Sequence, residues 1–123
     1  MKLRFRGNSL RLRVNRPEVE NLAAGGSLEE RVEFPGDAHL SYVLETSAGS
    51  APTASFHQGV IRVSAPEWQV KDWARGAALG LYFQVAAGST ALHIAIEKDL
   101  ECLDAPPQEH DPEAFPRTPG KNC

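Results

Sequence analysis

The sequence predicts an α+β domain: an antiparallel sheet or open barrel of about seven or eight strands in four hairpins, with two short helices covering its apolar face. Three observations predict it. Apolar and polar residues alternate with a period of two through successive short stretches. Tight Gly-containing breaks join those stretches in pairs. Only the stretches near 17–25 and 66–75 follow a proline and space their apolar residues as a helix does. The order is ββ-α-ββ-ββ-α-ββ.

The first hairpin has the clearest pattern. Leu3 and Phe5 alternate with Lys2, Arg4 and Arg6, and Leu10, Leu12 and Val14 alternate with Arg11 and Arg13. Gly7-Asn8 between them suits a type II′ turn, whose first central residue takes a positive φ. That turn sets Arg6 opposite Ser9, Phe5 opposite Leu10, Arg4 opposite Arg11, Leu3 opposite Leu12 and Lys2 opposite Arg13. Apolar residues then share one face, with Phe5, Leu10, Leu3 and Leu12 buried together, and the cations share the other. Next, Pro17 opens a helix in which Glu18 and Glu20 complement the positive helix end. Val19, Leu22 and Ala23 form its stripe, and Gly25-Gly26 ends it.

Leu28, Glu30, Val32 and Phe34, then Leu40, Tyr42 and Leu44, build a second hairpin around Pro35-Gly36-Asp37. Ser47–Pro52 reads as a surface loop. A third hairpin turns at Gln58-Gly59, setting Phe56 opposite Ile61 and Ala54 opposite Val63. The second helix carries Trp68 and Trp73, five residues apart, so only one of them lies fully on its core stripe. The fourth hairpin turns at Gly88-Ser89, with Val85 opposite Leu92, Phe83 opposite Ile94 and Leu81 opposite Ile96. The halves resemble each other: Arg13-Val14-x-x-Pro17-Glu18-Val19 aligns with Arg62-Val63-x-x-Pro66-Glu67-Trp68, as an internal duplication would give. Residues 1–104 are expected to form one domain. Residues 105–123, rich in proline and acid, are expected to form a flexible tail.

At 123 residues the chain suffices for one core, and a net charge of −3 creates no overall cationic field for nucleic acid or an anionic membrane. The N-terminus lacks the continuous apolar stretch of a secretory signal, and no run approaches a membrane span. With only Cys102 and Cys123, a disulfide scaffold is not expected and a reducing cytoplasm is. Charge is distributed unevenly. Lys2, Arg4, Arg6, Arg11, Arg13 and Arg16 precede any acid, whereas from Glu97 to Glu113 there are seven acids against Lys98.

The basic face of the first hairpin is the most informative constellation. Like charges directly opposite each other on neighbouring strands repel, so Arg4 beside Arg11 and Lys2 beside Arg13 require compensation. One reading makes Lys2, Arg4, Arg6, Arg11 and Arg13 an anion-binding face for phosphate, a nucleotide or an acidic segment, since guanidinium forks match phosphate oxygens. A second is structural: Glu29, Glu33, Glu97 and Asp99, or acids of a second subunit in a homo-oligomer, pair with the cations. His93 with Glu97 and Tyr82 is an acid–base grouping on the fourth hairpin. Cys102, His110, Asp111 and Cys123 lack the CxxC spacing of a zinc site, and no Walker loop, GxSxG elbow or HExxH occurs.

Two resemblances accompany these readings. KLRFRGNSLRLRV, PEVENLAAGG, IEKDLECL and the later AFP resemble a bacterial family of small uncharacterised proteins, which implies a stand-alone domain and no particular activity. The duplicated β-α-β pattern with charged strands is similar to CYTH-like triphosphate tunnel enzymes. That likeness implies a triphosphate hydrolase with Mg²⁺ or Mn²⁺ held by Glu29, Glu33, Glu97 or Asp99. The ExExK motif of those enzymes is absent, and basic residues occupy the first strand instead.

Overall fold

The computed structural model describes residues 1–100 and 111–116. Eight strands and two helices follow the expected order: β1 (Lys2–Arg6), β2 (Ser9–Val14), α1 (Arg16–Ala23), β3 (Ser27–Phe34), β4 (Ala38–Ser47), β5 (Thr53–His57), β6 (Val60–Pro66), α2 (Glu67–Arg75), β7 (Gly80–Ala87) and β8 (Thr90–Lys98). The strands form two four-stranded sheets, ordered β1-β2-β8-β7 and β3-β4-β6-β5.

The first, third and fourth hairpins have the register that turn chemistry and alternation require, and the second turns at Pro35-Gly36-Asp37 with Phe34 facing Ala38. Arg4 faces Arg11, Phe56 faces Ile61 and Phe83 faces Ile94. Gly7 and Gly88 take φ of 55° and 62°, the left-handed conformation that the first position of a type II′ turn needs. The arrangement of hairpins departs from the expectation of one antiparallel sheet or barrel. Each sheet is mixed, because its two central strands, β2 with β8 and β4 with β6, run parallel. The reason is connectivity. Each helix carries the chain from one sheet to the other, so the first hairpin finds its lateral partner in the last, β7–β8, while the second pairs with the next one, β5–β6. Period-two alternation fixes which face a strand buries and leaves its neighbour open.

Exchanging β1–β4 with β5–β8 converts one sheet order into the other, so the halves share one topology. The structural correspondence pairs Leu12 with Val63, Val14 with Ala65, Val19 with Val70 and Leu22 with Trp73. The proline-anchored alignment is therefore out by two residues at the helix starts. Pro17 lies inside α1, whereas Pro66 occupies the N-cap of α2, the place Asn15 takes in α1. Asn15 completes a capping box: its side chain accepts from the Glu18 amide, and Glu18 accepts from the Asn15 amide.

One core joins both sheets to both helices. Leu10, Leu12, Val14, Ile94 and Ile96 from the first sheet meet Leu44, Val63 and Ala65 from the second, with Val19, Leu22, Val70 and Trp73 between. Trp73 is 2% exposed and its indole N–H donates to the Leu79 carbonyl, whereas Trp68 is 64% exposed. Phe5 departs from expectation. It shares the inward face with Leu10 but is 57% exposed, because it sits on an edge strand near the hairpin tip, beyond the buried cluster. Of the stretch expected to be a flexible tail, Asp111–Pro116 instead lies against the domain. Asn15 donates to Asp111, the Arg16 amide donates to the Glu113 carbonyl, and Phe115 bridges to the strand end at Leu100. The remainder of that stretch lies outside the described residues.

These packing differences set expected stabilities. Leu12→Ala should cost about 2–5 kcal/mol, and Trp73→Ala about 3–5 kcal/mol, in urea unfolding followed by circular dichroism. Trp68→Ala should stay within about 0.5 kcal/mol of the parent. Equal losses for both tryptophans would contradict the placement of α2.

Candidate functional site

The outward face of the first sheet carries the basic residues. Alternation puts Lys2, Arg4 and Arg6 of β1 beside Ser9, Arg11 and Arg13 of β2, and β8 adds His93, Ala95 and Glu97. Strand β7 completes the face with Gly80, Tyr82 and Gln84. The expected cluster of five cations therefore forms, on two adjacent strands.

Its compensation comes from β8 and the residue after it. Glu97, 8% exposed, accepts from the Tyr82 hydroxyl at 2.6 Å and forms ion pairs with Arg11 Nε at 3.1 Å and Arg13 Nε at 3.9 Å. Asp99, 4% exposed, pairs with Lys2 Nζ at 2.8 Å. Glu29 and Glu33, proposed from sequence as further partners or metal ligands, are elsewhere. They face outward from β3 in the other sheet, where Glu33 pairs with Arg31. The four carboxylates of a tunnel-type metal site are thus split between the outward faces of two sheets. Among the described residues, no group of three or more His, Cys, Asp or Glu could hold a metal. The eight strands also form two sheets rather than a barrel. Of the weak Cys102–His110–Asp111–Cys123 grouping, only Asp111 is described, and it caps β2 and α1 through Asn15.

Arg4 and Arg6 have no carboxylate partner among the described residues. Next to Arg11 the face is hollowed. An open depression of about 300 Å³ lies over Ala95, edged by Ser9, Arg11, Tyr82, Gln84 and His93. It exists because Ala95 is small where its neighbours are long. In the second sheet the equivalent position, opposite Arg62 as Ala95 is opposite Arg11, is Val43, only 4% exposed. The ion pair is duplicated as well: Arg62 meets Glu45 at 3.1 Å as Arg11 meets Glu97.

The hollow's rim offers one guanidinium, one imidazole, two hydroxyls and an amide, with an apolar floor. The Tyr82 hydroxyl spans the rim to Glu97, and its pKa is pushed up to about 12 by partial burial and by that carboxylate, which disfavours a second negative charge beside it. Tyr82 thus stays a neutral donor across the physiological range. Alternation along the fourth hairpin puts Tyr82, Gln84, His93 and Glu97 on one face, and the structure adds Ser9 and Arg11 from β2, with Ala95 between them. Ser9 and Arg11 were not recognisable as part of this site because β2 and β8 pair across the length of the chain.

Fold and site together define a small α+β domain of two mixed sheets with a polar, cation-edged depression on one of them. The chain matches a family of unknown function (DUF7009) over residues 1–119 and belongs to it. No curated protein and no solved structure matches it.

The tyrosine geometry has a spectroscopic consequence. A phenol whose folded pKa lies above the ordinary value of 10.0 is favoured as the neutral form, so its stabilising contribution is complete below pH 10 and is lost as pH rises toward about 12. In a Tyr42→Phe background, ultraviolet titration of Tyr82 should show a midpoint near 12. Glu97→Gln should bring that midpoint back toward 10. An unchanged midpoint in the Gln variant would show that Glu97 does not set it.

Proposed function

We propose that the protein is a non-enzymatic binding domain that receives a small anion, a phosphate- or carboxylate-bearing ligand, in the hollow of the first sheet. The observation that supports this reading is the depression over Ala95, flanked by Arg11 and His93, with Arg4 beside Arg11 and without an acid partner among the described residues. Glu97 lies 3.1 Å from Arg11 Nε, and the terminal guanidinium nitrogens remain as donors. Gln84 supplies an uncharged donor beside it, while the Ser9 and Tyr82 hydroxyls are engaged with the Arg6 carbonyl and with Glu97. The structural reading accounts for Lys2 with Asp99 and for Arg11 and Arg13 with Glu97. It gives no role to Arg4 and Arg6, and for that reason binding is preferred.

A thermal-shift comparison tests it. Phosphate, triphosphate and nucleotides, each against chloride at matched ionic strength, should raise the melting temperature, because a ligand that binds only the native state stabilises it. Arg4→Ala should leave the ligand-free melting temperature unchanged or slightly higher, since it removes a cation opposite Arg11, and should reduce the anion-induced shift. Arg11→Ala should lower ligand-free stability by about 1 kcal/mol, because Glu97 then keeps only Tyr82 and the more distant Arg13. It should also abolish the shift. No response of the parent protein to any of these anions, combined with destabilisation by both substitutions, would overturn the binding reading in favour of the structural one.

A further inference from the structure

Among the described residues the two sheets leave four edge strands, β1, β7, β3 and β5, and an edge strand presents unpaired N–H and C=O groups to any other strand. Three of the four are blunted. Strand β1 has five residues and carries Lys2, Arg4 and Arg6. Strand β3 carries Glu29, Glu30, Arg31 and Glu33. Strand β5 has only five residues. Strand β7 is different: eight residues, Gly-Leu-Tyr-Phe-Gln-Val-Ala-Ala, with no charge, no proline and an unbroken register to β8.

The hairpin turn determines which of its groups are open. Gly88-Ser89 is a two-residue turn flanked by Ala87 and Thr90, and the residues flanking such a turn exchange both of their hydrogen bonds. Bonding then alternates back along the strand. Val85, Phe83 and Leu81 bond to β8, while Ala86, Gln84, Tyr82 and Gly80 turn their N–H and C=O groups outward. The Tyr82 side chain leaves this edge clear, since its hydroxyl reaches back across β8 to Glu97.

We propose that β7 pairs antiparallel with β7 of a second copy of this chain, joining two four-stranded sheets into one of eight strands. Only one two-fold register uses all four outward residues, with its axis at Phe83. It sets Gly80 of one copy opposite Ala86 of the other, and Tyr82 opposite Gln84, giving about eight main-chain hydrogen bonds. The half-buried Phe83 side chains then meet at the axis on the inward face, flanked by Leu81 and Val85. Charge favours this edge over the other long one. Self-pairing of β3 would bring its glutamates together, whereas β7 opposes no like charges in any register. The inference does not depend on the anion site.

Sedimentation velocity across a concentration series tests it, together with amide hydrogen exchange. The full chain should dimerise reversibly, and the Tyr82, Gln84 and Ala86 amides should exchange more slowly as concentration rises. Ala86→Pro removes an outward donor and puts a ring where the second strand must lie. It spares the bonds to β8, because proline is tolerated where the N–H of an edge strand faces solvent. That variant should retain its circular dichroism spectrum and dimerise at least about tenfold more weakly. A parent protein that stays monomeric overturns the proposal. So does a dimer that Ala86→Pro leaves intact, since its contact lies elsewhere. Should Ala86→Pro fail to fold, the parent's exchange rates decide: β7 amides indifferent to concentration overturn the proposal.

Discussion

Strand β2 lies between β1 and β8 while its inward residues pack into the core shared by both helices, and the rest of the structure depends on that position. Leu10, Leu12 and Val14 are buried because β8 covers one flank of the strand and the helices cover its face. Were β2 only half of an isolated hairpin, that apolar face would be wet and the hairpin marginal. The same pairing sets Arg13 directly opposite Glu97 and Arg11 opposite Ala95 on the outward side. Core and charged face are therefore one decision: shifting β2 by a single residue against β8 would turn every side chain over.

The charged face shows how repulsion built into a strand pair is handled. Lys2 opposite Arg13 and Arg4 opposite Arg11 would each destabilise the hairpin alone. Glu97 and Asp99, brought alongside by the parallel pairing, answer three of those four cations. Both acids are nearly buried, so removing their cations leaves costly uncompensated charge. The hairpin is consequently stable in company with the chain's last strand and strained without it.

Local physics was legible in the sequence, and long-range pairing was not. Three hairpin registers followed from turn length and alternation, both helices from their prolines and stripes, and the sharing of one face by Lys2, Arg4, Arg6, Arg11 and Arg13 from period two. The partner of a hairpin depends on contacts that no short window contains, so parallel pairing and the split into two sheets were missed. The hollow was missed for the same reason. Ala95 is unremarkable in sequence and becomes the floor of a depression only once Arg11 stands opposite it and Tyr82, Gln84 and His93 surround it. Glu29 and Glu33 looked like candidates because they alternate on a strand, yet their strand belongs to the other sheet.

The exchange of hairpins between the two sheets has a kinetic side. Leu10 finds its lateral neighbour Ile94 only after nearly the whole domain has been synthesised, and non-local closure of this kind slows folding. Until then β2 lacks the strand that covers its open flank. The two halves meet through the Ser47–Pro52 connection, and each builds half of both sheets. Neither sheet is completed by one half alone, so the connection at Ser47–Pro52 joins two segments that become stable only together.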